Sequence, residues 1–406
     1  MTSIEEVTAL IGASIGAQPP IELPLARTPG LVLAAPVLAT GPLPRFDNAA
    51  MDGFAVRTAD VASADPSAPV RLRLVASSLA GRSPPAALPR GAACPVATGA
   101  PIPDETDAVI MLEHVVEQGS EVLITRPVRH GENIRRQGED VRAGTELLRA
   151  GQVVTPGQIA AAAALGRTTL QVHRPPRVTI VLTGPEVVPP GRPLGPYQLY
   201  DAVSSALEAM LADLGCVPAT AGPIDDDPDA LADALLTAAG NSDALLTVGG
   251  ASVGRRDHVK DVARRYGDVH VWRVALRPAK PFVFGTVTGT PLFGLPGNPA
   301  SALAAYEVFV RPALLAMQGR TEDRPTLRAE LTVPFSQRPG RLHLVRAYSW
   351  VRADRRFVRP VGAQGAGMLH ALAAANAWML VPGDVEHLPV GAVVEIRSLW
   401  RAVPPE

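Results

Sequence analysis

Residues 178–184 read VTIVLTG, an apolar run without polar alternation, and residues 243–250 read DALLTVGG, a similar run that ends in paired glycines. Continuous apolar runs of this length, bounded by turn residues, are the pattern of strands buried on both faces. Working outward from them, helical patterns fill the gaps. Asp201 is placed to cap a helix on which Leu207, Met210, Leu211 and Leu214 recur at helical spacing before Gly215 stops it. A second helix follows Asp227-Pro228, and DHVKDVARRYG supplies a third. PLFGL at 291–295 is a further strand, after which Asn298 caps and Pro299 starts a long helix to about Met317. Strands and helices that alternate in this way predict a parallel sheet with helices on both faces across 176–318.

The flanking segments differ in character. Residues 1–18 carry one short amphipathic helix (Ile4, Val7, Leu10, Ile11), and the Pro-rich stretch 19–44 suits short extended pieces. Residues 45–141 are β-rich, with a hairpin turning near Gly119. Thr155 and Pro156 open a helix that Gly166 closes, and TTLQVHR follows as a strand. The short strand patterns of 319–406 predict a small barrel.

Composition narrows the function. The 406 residues are 47% hydrophobic and 19% charged, as in a globular chain, and the formal net charge of −1 gives no electrostatic case for nucleic acid or an acidic membrane. Cys94 and Cys216 supply neither a disulfide framework nor a four-ligand zinc site. The start MTSIEEVTAL has acids where a signal peptide carries positive charge, and no apolar run reaches the ~18 residues of a membrane span. These features lead us to expect a soluble cytoplasmic protein. All but two of the 38 basic residues are arginine; the lysines are Lys260 and Lys280. A compact ammonium and a planar guanidinium are not interchangeable, so a lysine kept in such a chain marks a place where the ammonium matters.

Several loops could carry chemistry. Gly249-Gly250-Ala251-Ser252-Val253-Gly254 joins a buried strand to a helix, and Gly294-Leu295-Pro296-Gly297-Asn298-Pro299-Ala300-Ser301 repeats that geometry. Each is either a phosphate cradle or a tight strand-to-helix turn. Asp225-Asp226-Asp227 reads as a solvated cap unless Asp226 meets Asp257, in which case the two carboxylates suit Mg²⁺ near phosphates. Arg273, Arg277, Lys280 and Pro281 in WRVALRPAKPF are either an oxyanion pocket or an exposed basic edge. The histidines show no ligand spacing, and HExxH and P-loop signatures are absent from the sequence.

The stretches LPRFDNAAMDGFAVR, TGAPIP with DAVIMLE, GENIRRQGEDVRAG, DALLTVGGASVGRRDHVK, and RPAKPFVFG with GLPGNPASAL run in order from residue 43 to about 303. Together they resemble the molybdopterin molybdenumtransferase family, the MoeA-like proteins that include the gephyrin E domain. The resemblance implies a multidomain α/β and β fold. Residues 1–18 and 176–318 would form a three-layer α/β, MoaB/MogA-like molybdopterin-binding domain. Residues 19–43 and 142–175 would form a linking domain, 44–141 an inserted β-rich lobe, and 319–406 the C-terminal β-barrel. It also implies an enzyme that inserts molybdate into adenylylated molybdopterin with Mg²⁺, releasing AMP. Gly249, Gly250, Ser252, Gly254, Arg273, Lys280, Pro296, Gly297 and Asn298 would hold the pterin phosphates. Arg277, Lys280, Pro281, Ser301 and Arg346 would hold molybdate, and Glu186, Asp226 and Asp257 the Mg²⁺. Asp52 and Thr98 would come from the other subunit of a homodimer. An adenylyltransferase and a molybdoenzyme would be the delivery partners, with neither nucleic acid nor membrane involved.

The sequence departs from the family pattern at Pro185, Ala202, Val203, Ala279 and Ala366, where the family carries Asp, a hydroxyl residue, Asn, Gly and Ser. These losses motivate one alternative, a non-catalytic relative that binds or carries molybdopterin. A plain adenylyltransferase is disfavoured, because that chemistry needs only the α/β segment.

Overall fold

The computed structural model describes residues 1–250, 258–320 and 324–399. The chain divides into two compact units, one of Met1–Ala34, Gly151–Thr155 and Thr169–Glu406, the other of Ala35–Ala150 and Pro156–Thr168.

The first unit is built on a six-stranded sheet in the order Val217–Ile224, Arg177–Thr183, Ala244–Val248, Thr290–Leu295, Pro281–Val287, Val269–Arg273. Side chains alternate across Arg177–Thr183. Ile180 and Leu182 pack with Leu207 and Leu211 of the helix Val203–Asp213. Val181 packs on the opposite face with Leu231 and Leu235 of the helix Pro228–Ala239. Both faces are therefore dry, and this is why the strands read as unbroken apolar runs. Asp201 caps Val203–Asp213 through the N–H groups of Val203 and Ser204, and Asp227 caps Pro228–Ala239.

The sheet is mixed, which corrects the expectation of a parallel one. Its first four strands are parallel, but Pro281–Val287 runs antiparallel to both neighbours. The reversal is a two-residue turn, Thr288 and Gly289, both at positive φ (48° and 85°), which closes a hairpin between Pro281–Val287 and Thr290–Leu295. The helical run Pro299–Met317 contains a π-turn at Tyr306–Val310. By length and composition it passes as a membrane span, contrary to the sequence count, but 83% of it is buried in the core of this unit.

Five strands of the C-terminal segment close into a barrel. Leu342–Arg352 pairs with Arg355–Pro360 and Ala377–Val381, and Leu327–Leu331 and Val393–Ser398 complete the ring. The short strand Leu276–Arg277 adds to it in parallel, setting Arg277 opposite His343. The unit also holds Pro20–Pro24 paired with Thr169–His173.

One ion pair locks the base of the sheet. Arg174 donates to both Asp243 oxygens (2.8 and 2.7 Å), and the Arg177 N–H adds a third bond at 2.7 Å. Burial alone would raise the Asp243 pKa, but these bonds and the two guanidinium charges outweigh it and hold the carboxyl below its ordinary range. A lowered folded-state pKa contributes stability above the unfolded carboxylate pKa, and that stability is lost as pH falls through the folded value. Asp243→Ala is expected to cost about 2–3 kcal/mol at neutral pH. Chemical denaturation at pH 7 and pH 3 checks this: the gap between wild type and variant should narrow in acid.

The second unit is a six-stranded sheet in the order Ala108–Met111, Gly53–Val56, Ala92–Val96, Val70–Leu74, Glu121–Ile124, Val115–Gln118. The hairpin between its last two strands turns at Gly119 (φ 66°). The helix Pro156–Ala164 and the pair Val37–Leu38 with Glu146–Leu148 belong to this unit. Cys94 and Cys216 are both free and buried.

Candidate functional site

The carboxyl ends of the parallel strands carry the glycine loops. Gly249 follows Ala244–Val248 at φ 85°, and a Cβ there would stand 2.7 Å from Thr183 Oγ1, so the turn admits only glycine. Gly297 follows Thr290–Leu295, and a Cβ on it would lie 3.6 Å from Gly249 Cα. The two loops therefore face each other with nothing but backbone between them. The Gly249 N–H donates to Leu295 O at 3.1 Å.

Two cavities open on either side of this contact. The first, about 560 Å³, is lined by Gly250, Pro296 and Ser301 from the loops and by Arg277, Lys280 and Pro281 from the strand edge. The second, about 650 Å³, is lined by Gly249, Glu186, Tyr200, Asp201 and Leu369 among others. Gly297 and Asn298 border both. Asn298 takes the expected cap position, its carbonyl accepting the Ser301 and Ala302 N–H groups at 3.0 Å, but its side chain makes no capping bond. The Asn298 amide is thereby left facing both cavities.

The first cavity is cationic beyond what the loops announce. Arg341 and His343, at the head of the Leu342–Arg352 strand, line it as well. Arg346 lies deeper on the same strand and is fully buried; its Nη2 donates to Ala363 O at 3.1 Å, whereas Nε and Nη1 reach no acceptor among the described residues. Burial draws the Arg346 guanidinium below its ordinary value, and burial together with Arg277 does the same to Arg341. Such a pocket stabilises an anion through charge-assisted hydrogen bonds. Arg341, His343 and Gln364 were missed by the sequence reading. The available signal was a set of charged residues inside an otherwise apolar strand.

Ala279 lines this cavity at φ 90°, a left-handed conformation that costs an alanine strain. Ala279→Gly removes the strain but loosens the unfolded chain, so a net gain of about 0.5 kcal/mol is expected, against a clear loss for Ala279→Val. Thermal unfolding of the two variants measures the opposite signs.

The acidic residues are more dispersed. Glu186 borders the second cavity, with its carboxylate against Gly184, whose N–H bonds Ile224 O at 3.0 Å. Asp226 lies just past Ile224, so Glu186 and Asp226 follow the ends of adjacent strands, but Asp226 lines neither cavity. Among the described residues no three His, Cys, Asp or Glu side chains stand together as a metal cage. Ser252, Gly254 and Asp257 lie outside the described residues. Arg273 is not in the cavity lining; its guanidinium sits 4.4 Å over the Trp272 ring.

In the second unit, Asp52 and Thr98 do form a pair: the Thr98 N–H and Oγ1 donate to Asp52 Oδ1 at 2.6 and 2.8 Å. These bonds, the backbone one foremost, hold the exposed Asp52 carboxyl below its ordinary range.

Three family profiles cover most of the chain: the MoeA N-terminal region (domain I and II) matches residues 2–166, the probable molybdopterin binding domain 179–316, and the MoeA C-terminal region (domain IV) 328–399. Molybdopterin molybdenumtransferase 2 of Mycobacterium tuberculosis is 37% identical over 98% of this chain and 100% of its own length. Molybdopterin molybdenumtransferase of Haemophilus influenzae is 32% identical over 90% of each chain. A crystal structure of the molybdopterin biosynthesis MoeA protein of Pyrococcus horikoshii superposes with a TM-score of 0.83 at 27% identity, covering 98% of this chain and 100% of its own.

Proposed function

Because this chain belongs to the molybdopterin molybdenumtransferase family, enzymes of molybdenum cofactor biosynthesis, we propose that it inserts molybdate into adenylylated molybdopterin with release of AMP. The observation that carries this is the adjacency of an arginine- and lysine-lined cavity and a larger mixed one across Gly297 and Asn298. The small cationic cavity suits the oxyanion; the larger, with apolar walls, suits the pterin and its phosphates. Arg277, Lys280, Pro281 and Ser301 hold molybdate, with Arg346 supplying charge from behind. Gly249, Gly250, Pro296, Gly297 and Asn298 offer backbone and amide donors to phosphate oxygens.

Glu186 and Asp226, which follow the ends of adjacent strands, would be the carboxylates to hold Mg²⁺, which takes one or two of them along with phosphate oxygens and water. Bound there, Mg²⁺ would draw charge from a pyrophosphate. The chain's own groups position the ligand and exclude water.

The departures from the family pattern leave these contacts intact, which favours an active enzyme over a passive carrier. Ala366 lacks a hydroxyl, yet its carbonyl accepts the Ala300 N–H at 3.1 Å. Ala202 and Val203 lack polar side chains, yet Asp201 caps that helix. The test of the function is AMP release from adenylylated molybdopterin by the purified protein, with and without molybdate. Release that does not depend on molybdate contradicts it.

The protein acts in the cytoplasm as a homodimer, in which Asp52 and Thr98 complete the site of the other copy. Mixing two inactive variants, Asp52→Ala and Lys280→Ala, should then restore about a quarter of wild-type activity, since half the dimers are mixed and each carries one intact site. A mixture as inactive as its components contradicts the shared site.

A further inference from the structure

His343 stands at the wall of the cationic cavity and is 6% exposed. Its Nδ1 lies 3.1 Å from Gln337 Oε1. The Gln337 amide cannot be reversed, because its Nε2 already donates at 2.8 Å to the carbonyls of both Pro382 and Val385. Oε1 is therefore the acceptor and Nδ1–H the donor. This fixes the tautomer and leaves Nε2 of the neutral ring with a lone pair. Phe335, with its ring centroid 5.7 Å away, fixes the plane.

The charged groups around this ring are all positive. Arg277 is its register partner on Leu276–Arg277, Arg346 shares its own strand, and Arg341 immediately precedes that strand. Lys280 lines the same cavity from the turn before Pro281. The other neighbouring strand, Ala377–Val381, sets the uncharged Val381 opposite. Burial and the three arginines push the imidazole down to about 4. A doubly charged anion in the cavity cancels that field, and the same cations that exclude a proton from the empty site then permit one.

We propose that His343 is a proton-coupled donor of the oxyanion subsite, neutral when the cavity is empty and protonated at Nε2 when a tetrahedral dianion enters. This rests on the oxyanion reading of the cavity given above, and adds to it that binding takes up a proton. The proton comes from solvent and no bond to the anion is made or broken. Oxyanion capture then strengthens as pH falls, and the bound state gains one more charge-assisted hydrogen bond.

The test is calorimetric titration of the full-length protein with molybdate between pH 6 and 8, in buffers of differing ionisation enthalpy. Parallel titrations with sulfate exclude protonation of the ligand. In wild type the apparent Kd should rise by roughly fivefold or more over this range, with proton uptake of up to about one per site. His343→Gln should bind with a pH-independent Kd and take up none. Histidine-selective NMR of the wild type gives an independent readout, since one imidazole should change protonation on adding molybdate. Binding by wild type without proton uptake, or uptake that persists in His343→Gln, overturns the proposal and leaves the oxyanion reading standing. No binding of either anion overturns the oxyanion reading itself.

Discussion

Lys280→Ala is expected to lower molybdate-dependent AMP release by about 10²–10³-fold, the usual consequence of deleting one preorganised donor to a developing or bound oxyanion. The lysine is held by its backbone: its carbonyl accepts the Val274 N–H at 3.0 Å, and Pro281 pairs with Arg273 as the strand begins. Its ammonium is exposed at the cavity, so truncation leaves no packing defect and the unfolding midpoint should not move. Lys280→Arg should not restore the wild-type rate, because a planar fork does not replace a compact point charge. The other lysine makes the contrast. Lys260 lies 4.3 Å over the Trp272 ring and lines neither cavity, so Lys260→Ala should spare turnover. Full activity in Lys280→Ala would remove the cavity from the chemistry.

Gly285→Ala should lower stability strongly. Gly285 sits in the middle of Pro281–Val287, where a Cβ would meet Asp268 O at 2.0 Å and Val269 Cα at 3.1 Å. Both atoms are backbone, so the neighbouring strand must move, at a cost of roughly 3 kcal/mol or more. The loss should reach the site as well, since this strand positions Pro281 and, just ahead of it, Lys280. Circular dichroism on denaturation and anion titration of the same variant measure both effects. A variant as stable as wild type would contradict the strand pairing described here.

The sequence made the architecture legible where local rules and tertiary packing agree. The runs 178–184 and 243–250 are strands because helices cover both faces, and Asp201 and Asp227 cap the helices they precede. The glycine loops were visible because Gly249 adopts a backbone conformation that no other residue takes easily. Legibility ended where distant segments meet. Pro281–Val287 was not recognised as an antiparallel strand, since its direction is set by the turn Thr288-Gly289 and its partners lie on both sides of it. Asn298 holds the cap position that its residue type announces, but its side chain makes no capping bond. His343 and Arg341 looked like ordinary strand residues. Only the parallel pairing of Leu276–Arg277 with Leu342–Arg352 shows that they join Arg277 around one cavity. The family resemblance had pointed to Arg346, but not to its full burial with Nε and Nη1 reaching no acceptor among the described residues.

The proposed reaction requires that one cationic cavity beside Gly297 and Asn298 receive the oxyanion. A crystal soaked in molybdate and measured at the molybdenum absorption edge tests it most directly. An anomalous peak is expected within hydrogen-bond reach of Arg277, Lys280 and Ser301 and absent from Lys280→Ala crystals; a wild-type map with that cavity empty and the peak elsewhere would rule it out.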